Sequence, residues 1–344
     1  MRVLLTGSAG FIGSAVERAL VHSGDEVVRV DLMIEAAHGA GEAPPGTHVL
    51  DVRDAGSWVD LLRGVDVVCH QAALVGLGAR VADLPSYASH NDLATATLMA
   101  AMHEAGVDRL VLASSMVVYG EGRYACSTHG PQLPGARRPE DLDAGHFDNP
   151  CPVCAEPLTW TLVDEDAHLD PRSVYAASKV AQEHYAAAWA RQTGGSVVAL
   201  RYHNVYGPGM PRDTPYSGVA AMFRSAVERG EAPRVFEDGA QMRDFVHVDD
   251  VGRANLHAMT AVQEAHPGRL AAYNVCSGIP VSIGEVAEAV AGAGPTPVVT
   301  GEYRLGDVRH IVASPQRAER WLGFRAQIGP EEGLARFRTD RLRA

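Results

Sequence analysis

Over the first 115 positions, short β-branched apolar runs alternate with longer stretches in which apolar residues recur every three or four positions. The short runs, at 2–6, 26–31, 47–51, 65–71 and 109–114, read as buried strands. The stretches at about 12–21, 55–63 and 90–105 read as helices. Strands buried on both faces and alternating with helices predict an α/β fold, a doubly wound parallel sheet. A further helix is expected from Ser173 to about Gln192, followed by a strand at 196–202.

Two regions break this rhythm. From Gly120 to about Leu169 the chain is rich in proline and glycine, holds three of its five cysteines and shows no sustained period. A long irregular stretch inside a compact domain is either functional or mobile. After Gly207 the elements become irregular, with loops at 209–218 and 294–307. The expected division is residues 1–205 as one domain, with an insertion at about 121–169, and 206–344 as a smaller C-terminal α/β lobe. The chain is expected to cross back between the two.

At 344 residues with 46% hydrophobic and 21% charged positions, the chain can bury a large core. Its formal net charge of −12 argues against a nucleic-acid binder, so an anionic ligand must be met by locally clustered arginines. No run of about 18 apolar residues exists, so no membrane span is expected. The opening Met1-Arg2-Val3-Leu4-Leu5 is too soon interrupted by glycines at 7, 10 and 13 to be a signal peptide and is read as the first strand. An odd number of cysteines in a chain this long does not make a disulfide framework, so the expected compartment is the cytoplasm.

Thr6-Gly7-Ser8-Ala9-Gly10-Phe11-Ile12-Gly13 joins the first strand to the first helix. Gly7 permits the tight turn, Gly10 lets a pyrophosphate approach the backbone, and Gly13 allows close helix–strand packing. The N–H groups of the helix start at Phe11 and Ile12 face the anion. Asp31 ends the next strand, where a carboxylate accepts hydrogen bonds from an adenosine ribose and repels a 2′-phosphate, so NAD is favoured over NADP. Asp51-Val52 follows the third strand and is placed to approach the adenine. Gln71-Ala72-Ala73 ends the fourth, where small residues leave room for the cofactor.

Tyr175 and Lys179 are one turn apart on the predicted helix and share a face. An ammonium beside a phenol favours the phenolate, making Tyr175 a usable general base. Ser114-Ser115 closes the fifth strand, at the carboxyl edge where ligands of such sheets bind, and Ser115 is placed to hydrogen-bond a sugar hydroxyl.

With these features in place the sequence resembles the extended short-chain dehydrogenase/reductase family, in particular its NAD-dependent nucleotide-sugar epimerases and dehydratases. The resemblance spans nearly the whole chain and includes Ser114-Ser115-Met116-Val117-Val118-Tyr119-Gly120, Leu200-Arg201-Tyr202-His203-Asn204-Val205-Tyr206-Gly207-Pro208, Arg243-Asp244-Phe245-Val246-His247 and Arg304-Leu305-Gly306-Asp307. Phe236-Glu237-Asp238-Gly239 and the stretch 301–310 look most like the dTDP-L-rhamnose 4-epimerase branch.

The resemblance implies a Rossmann-type sheet with a C-terminal substrate lobe, NAD as cofactor and a dTDP- or UDP-linked sugar as substrate. It also implies a homodimer packed through the helix at 92–105 and the one carrying Tyr175. Tyr175 removes the C4 hydroxyl proton, Ser115 orients that hydroxyl, and Lys179 holds the nicotinamide ribose and lowers the pKa of the tyrosine. Asn204, Arg243 and Arg304 align with residues that hold the diphosphate and nucleoside, with Arg309 and Phe236 as weaker candidates. Met116-Val117-Val118 supplies none of the acidic residues that dehydratases and decarboxylases of this fold place after the catalytic serine. The alternatives are a nucleotide-sugar 4-dehydrogenase or ketoreductase, a decarboxylase or dehydratase, and a catalytically silent NAD-sensing scaffold. His203, where an aromatic residue is expected, reads as a buried, hydrogen-bonded histidine or a substrate contact.

In the insertion, Cys126-Ser-Thr-His129 and Cys151-Pro-Val-Cys154 are separated by 21 residues. Three thiolates and an imidazole at this spacing suit a tetrahedral structural zinc, with His146 as a spare ligand. A loop disulfide or unconnected reduced cysteines fit the same residues. Lying between Ser115 and Tyr175, the insertion is expected near the sugar end of the site, enclosing substrate or extending a subunit contact. Cys69 and Cys276 read as core residues.

Overall fold

A computed structural model describes residues 1–39, 41–76, 80–212 and 218–343. The first half of the chain builds most of one sheet. Strand β1 (Arg2–Thr6) leads into α1 (Phe11–His22), and β2 (Glu26–Asp31) follows, then the short helix α2 (Glu35–His38) and β3 (Thr47–Val49). Strand β4 (Val67–His70), the short α3 (Leu84–Tyr87), α4 (Ala94–Ala105) and β5 (Arg109–Ser115) complete this half.

The insertion contributes β6 (Arg123–Cys126), β7 (Gly130–Gln132), α5 (Pro139–Asp143) and β8 (Thr159–Thr161). After it come α6 (Val174–Thr193), β9 (Ser196–Tyr202), β10 (Asn204–Tyr206), α7 (Val219–Glu228), β11 (Arg234–Val235) and β12 (Met242–His247). The chain closes with α8 (Val248–Glu264), β13 (Arg269–Val275), β14 (Pro280–Ser282), α9 (Ile283–Ala291), β15 (Val298–Val299) and α10 (Pro330–Phe337).

Seven strands form an all-parallel sheet in the order β13-β9-β5-β4-β1-β2-β3, the expected doubly wound architecture. The two-residue period of β1 sends Val3 and Leu5 into one core layer with α1 and α8, and Leu4 into the other with α4 and α6. Strand order reverses between β1 and β4, so the crevice opens at their carboxyl ends, beside Gly7 and Gln71.

Three differences from the sequence reading have local causes. The helix expected at 55–63 is a run of 3₁₀ turns over Val52–Leu62, kinked at Asp54 and Trp58. The buried Trp58 indole donates to the Asp51 carbonyl at 2.9 Å, holding the tighter winding. The helix expected at 90–105 starts with a wider π turn over Ala88–Leu93. There Asn91 turns inward to accept from the Leu74 amide at 2.7 Å. The insertion, read as irregular, contains an antiparallel sheet ordered β7-β6-β8. Its strands of three or four residues are too short to show a period.

Past residue 205 the chain divides its elements between both layers. Strand β10 pairs in parallel with β12, which pairs antiparallel with β14, and α7, α9 and α10 pack with them around Tyr206, Phe223, Phe245 and Phe337. Helix α8 and strand β13 return to the large sheet. Residues 213–217 of the expected loop at 209–218 lie outside the described residues. No described helix is long and apolar enough to cross a membrane.

Candidate active site

A cavity of about 580 Å³ opens over the switch point. Gly7, Gly10, Phe11, Ile12, Gly13, Asp31, Asp51, Val52, Gln71, Ala72 and Ala73 all line it. Gly7 adopts φ +68°, and a Cβ there would lie 2.6 Å from the Ala72 amide nitrogen. A Cβ on Gly13 would lie 1.9 Å from the Gly7 carbonyl oxygen. The turn is thus a cradle that only glycine can form, and helix α1 starts directly behind it with its amides facing the cavity. An anionic linker such as a pyrophosphate fits this cradle.

Asp31 accepts hydrogen bonds from the Ala9 amide at 3.0 Å and the Met33 amide at 2.9 Å, and lies 3.2 Å from His38 Nε2. Burial alone would raise its pKa, but His38 and the two amides outweigh burial and hold it below the usual carboxylate range. A buried, ionised carboxylate at this edge suits ribose hydroxyls. Asp51 is gripped by its neighbour Arg53, whose hydrogen bonds lower its pKa although burial opposes them.

A second cavity, of about 670 Å³, meets the first at Asn204, Gly218 and Val219, which line both. It contains Tyr175, Met116, Val117, Arg172, Arg243 and Arg304. Ser173 caps α6 by accepting from the Ala176 amide at 3.1 Å, which fixes Tyr175 in the first turn, against the Ser115 hydroxyl. Lys179, one turn on, is buried and donates to the Ala113 carbonyl at 2.9 Å.

A profile of the NAD dependent epimerase/dehydratase family matches residues 3–140 and 154–276. The chain belongs to this family. It is 33% identical to a dTDP-L-rhamnose 4-epimerase from Burkholderia thailandensis, over 98% of this chain and 94% of that protein. It is 31% identical to a UDP-glucose 4-epimerase from Mycolicibacterium smegmatis, over 98% and 97%. Among solved structures it is similar to MoeE5 in complex with UDP-glucuronic acid and NAD, at 32% identity and a TM-score of 0.74 over 97% of both chains. The UDP-glucose 4-epimerase of Thermus thermophilus with NAD gives 29% and 0.74 over 98% of this chain and 99% of that one.

Within this epimerase/dehydratase framework some expected roles need correction. The expectation that Lys179 lowers the pKa of Tyr175 does not describe this structure. Burial raises the phenol's pKa, with the Ser115 hydrogen bond pulling it down, and burial lowers Lys179 to about 7 against the pull of Glu183 and Asp92. A buried amine loses hydration before it can help its neighbour.

Arg243 is half-buried and spends much of its fork on backbone, donating to the carbonyls of Met242, Val308 and Arg309 at 2.6–2.9 Å. It lines the cavity as a clamped cation. Arg304 stacks over Phe236, with its guanidinium carbon 4.9 Å from the ring centre, and both line the cavity. Arg309 does not line either cavity. It is buried among Asp148, Glu237 and Asp238. His203 is likewise buried outside both cavities, and burial lowers it to about 3.

Sequence reasoning missed three residues. His38 lines the cofactor cavity, and so does Arg343, whose guanidinium donates to the Ala9 carbonyl. Neither carries a motif signal, because the fold alone brings them to the glycine turn. Arg172 lines the substrate cavity three residues before Tyr175, and its position next to the helix cap was the available clue.

Proposed function

We propose that this chain is an NAD-dependent epimerase that inverts C4 of a nucleoside diphosphate-linked deoxyhexose through a transient 4-keto sugar, with a dTDP-linked 6-deoxyhexose as the preferred substrate. The observation that carries this reading is the junction of the two cavities. A glycine cradle with a carboxylate suited to ribose opens at Asn204 into a chamber walled by Tyr175 and four arginines, Arg172, Arg234, Arg243 and Arg304.

The residues Gly7–Gly13 and Asp31 would hold NAD, with Lys179 toward its nicotinamide ribose. When bound, NAD would supply the hydride acceptor and donor for the oxidation and return of C4. Tyr175 takes the proton from the C4 hydroxyl as that carbon is oxidised, and returns it when the ketone is reduced on the opposite face. Ser115 keeps the oxygen within reach of the phenol. The net redox change is zero, so the cofactor stays through turnover. Met116 and Val117 wall the sugar end and carry no acid for elimination, which speaks for epimerisation over dehydration or decarboxylation. Arg243 and Arg304 offset the protein's negative field at the diphosphate and nucleoside.

In the same reading, residues past 205 in the smaller lobe carry the nucleotide end. The protein works in the cytoplasm as a homodimer. All five cysteines are free, which suits a reducing compartment. The exposed Leu93, just before α4, and Tyr185, on α6, support pairing through these helices.

The test is incubation with dTDP-, UDP- and GDP-sugars without added cofactor, following C4 configuration by NMR. Inversion without added NAD and without released ketone is expected. In a second arm with NADH or NAD added, its stoichiometric consumption would establish the dehydrogenase reading instead.

A further inference from the structure

We propose that Cys126, His129, Cys151 and Cys154 bind one structural Zn²⁺, and that this metal holds Asp148 and Asn149 in the contacts that set the position of Arg243 in the substrate cavity. The four donor atoms come together from two segments 21 residues apart and lie within 4.8 Å of one another. Cys126 Sγ is 3.7 Å from Cys154 Sγ and 3.5 Å from His129 Nδ1, and Cys151 Sγ is 3.8 Å from the same nitrogen.

Zinc–sulfur bonds of about 2.3 Å and zinc–nitrogen bonds of about 2.0 Å give a tetrahedron with S–S edges of about 3.8 Å and S–N edges of about 3.5 Å. The three separations of 3.5–3.8 Å are close to edges of that tetrahedron. A disulfide requires sulfurs about 2.05 Å apart, and every cysteine of the four is free.

The backbone is shaped for thiolates as well. The amides of Thr128 and His129 hydrogen-bond the Cys126 sulfur, and the Glu156 amide does so for Cys154. The second knuckle closes through the Ala155 amide on the Cys151 carbonyl at 2.9 Å, with Ala155 held at φ +62°. A non-glycine residue rarely adopts that conformation unless its surroundings enforce it. The apolar support around the four ligands is small: Tyr124, Leu158 and the two buried cysteines, with Trp160 alongside. A cluster of that size does little to order the two ligand-bearing turns, whereas a Cys₃His zinc contributes its binding energy to folding. With four protein ligands no open position remains, so the metal has no part in the chemistry.

The path to the substrate cavity runs through the residues just before Cys151. Asn149 donates to Glu121 at 3.1 Å, and the same Glu121 oxygen accepts the Arg309 amide at 2.9 Å. Asp148 accepts from Arg309 Nε at 2.8 Å. Tyr124, two residues before Cys126, accepts the His310 amide at 3.0 Å. Segment 308–310 is therefore hung from both ends of the clip, and its carbonyls at 308 and 309 are the ones that clamp Arg243. Asp148 is a positioning residue, acting on ligand only through this chain of contacts.

The second half of this proposal rests on the nucleotide-sugar reading, so the experiment reads metal and nucleotide separately. Protein purified under reducing conditions is assayed for zinc by mass spectrometry, and its Co²⁺-substituted form by absorption. One zinc per chain is expected, with intense tetrahedral d–d bands and thiolate-to-cobalt charge transfer. Cys151→Ser with Cys154→Ser abolishes both. Binding of dTDP is then measured by calorimetry for the parent, the chelated protein and Asp148→Ala. Asp148→Ala keeps its zinc and weakens dTDP binding about tenfold, with kcat unchanged. Substoichiometric zinc together with an octahedral cobalt spectrum overturns the metal site. A dTDP affinity indifferent to both chelation and Asp148→Ala overturns the link to Arg243.

Discussion

Lys179 Nζ stands 5.9 Å from the centre of the Tyr175 ring while its hydrogen bond goes to the Ala113 carbonyl, 2.9 Å away. The two groups assigned to proton transfer are neighbours that do not hydrogen-bond each other, and burial favours the neutral form of both.

Tyr175→Phe removes only the phenolic hydroxyl from a half-buried ring that packs against Tyr87. Its kcat is expected to fall by about 10²–10⁴-fold, with bound NAD and the melting temperature unchanged. Single-turnover NMR on sugar nucleotides checks this, and full activity in the variant would remove Tyr175 from the chemistry.

Lys179→Met is expected to stabilise the cofactor-free chain near neutrality. The folded-state pKa of Lys179 is lowered to about 7 by burial, against about 10.4 in an unfolded chain. Between those values the unfolded state holds a proton that the folded state lacks, so stability rises with pH, and below about 7 the full penalty is present. The variant therefore melts higher at pH 6.5, by a few degrees, and loses that upward slope between pH 7 and 10. A lower melting temperature across the range would contradict this.

Asp31→Asn tests the ribose site. The folded-state pKa of Asp31 is depressed, so the stability it contributes is complete above the ordinary carboxylate value of about 3.9 and disappears as pH falls through the lower folded value. The variant should show a flatter acid arm in thermal melts and release NAD roughly 10–100-fold more readily. Equilibrium dialysis against NAD and NADP measures the second effect, and the gap between the two cofactors is expected to narrow.

Gly13→Ala and Gly24→Ala separate crowding from backbone strain. At Gly24 the φ is +85° with open space around the added carbon, so the cost is about 1 kcal/mol. At Gly13 the added carbon meets the Gly7 carbonyl at 1.9 Å, which forces α1 off the strand end. Chemical denaturation should show a much larger loss there, accompanied by loss of NAD binding.

The glycine turn, Asp31 and the Tyr175/Lys179 pair were legible because each depends on local spacing: a turn that needs no Cβ, a residue at a strand end, two positions one helical turn apart. The insertion's sheet was not legible, since β6, β7 and β8 are only three or four residues long, and pairing rather than period defines them. Arg309 illustrates the same limit at the site. The family resemblance made it a weaker candidate for the diphosphate and nucleoside, yet Asp148, Glu237 and Asp238 converge on it from distant segments and consume its donors.

From the sequence alone came the strand–helix alternation, the glycine cradle, the carboxylate of Asp31 at its strand end and the spacing of the Cys/His clip. These follow from steric and periodic rules acting over a few residues. Only the folded chain decided that Asn204 joins two cavities, that Arg243 is clamped by three carbonyls, and that His38 and Arg343 reach the cofactor turn. Those facts depend on burial and on contacts between segments up to 334 residues apart, as in the Arg343–Ala9 bond, which no local pattern encodes.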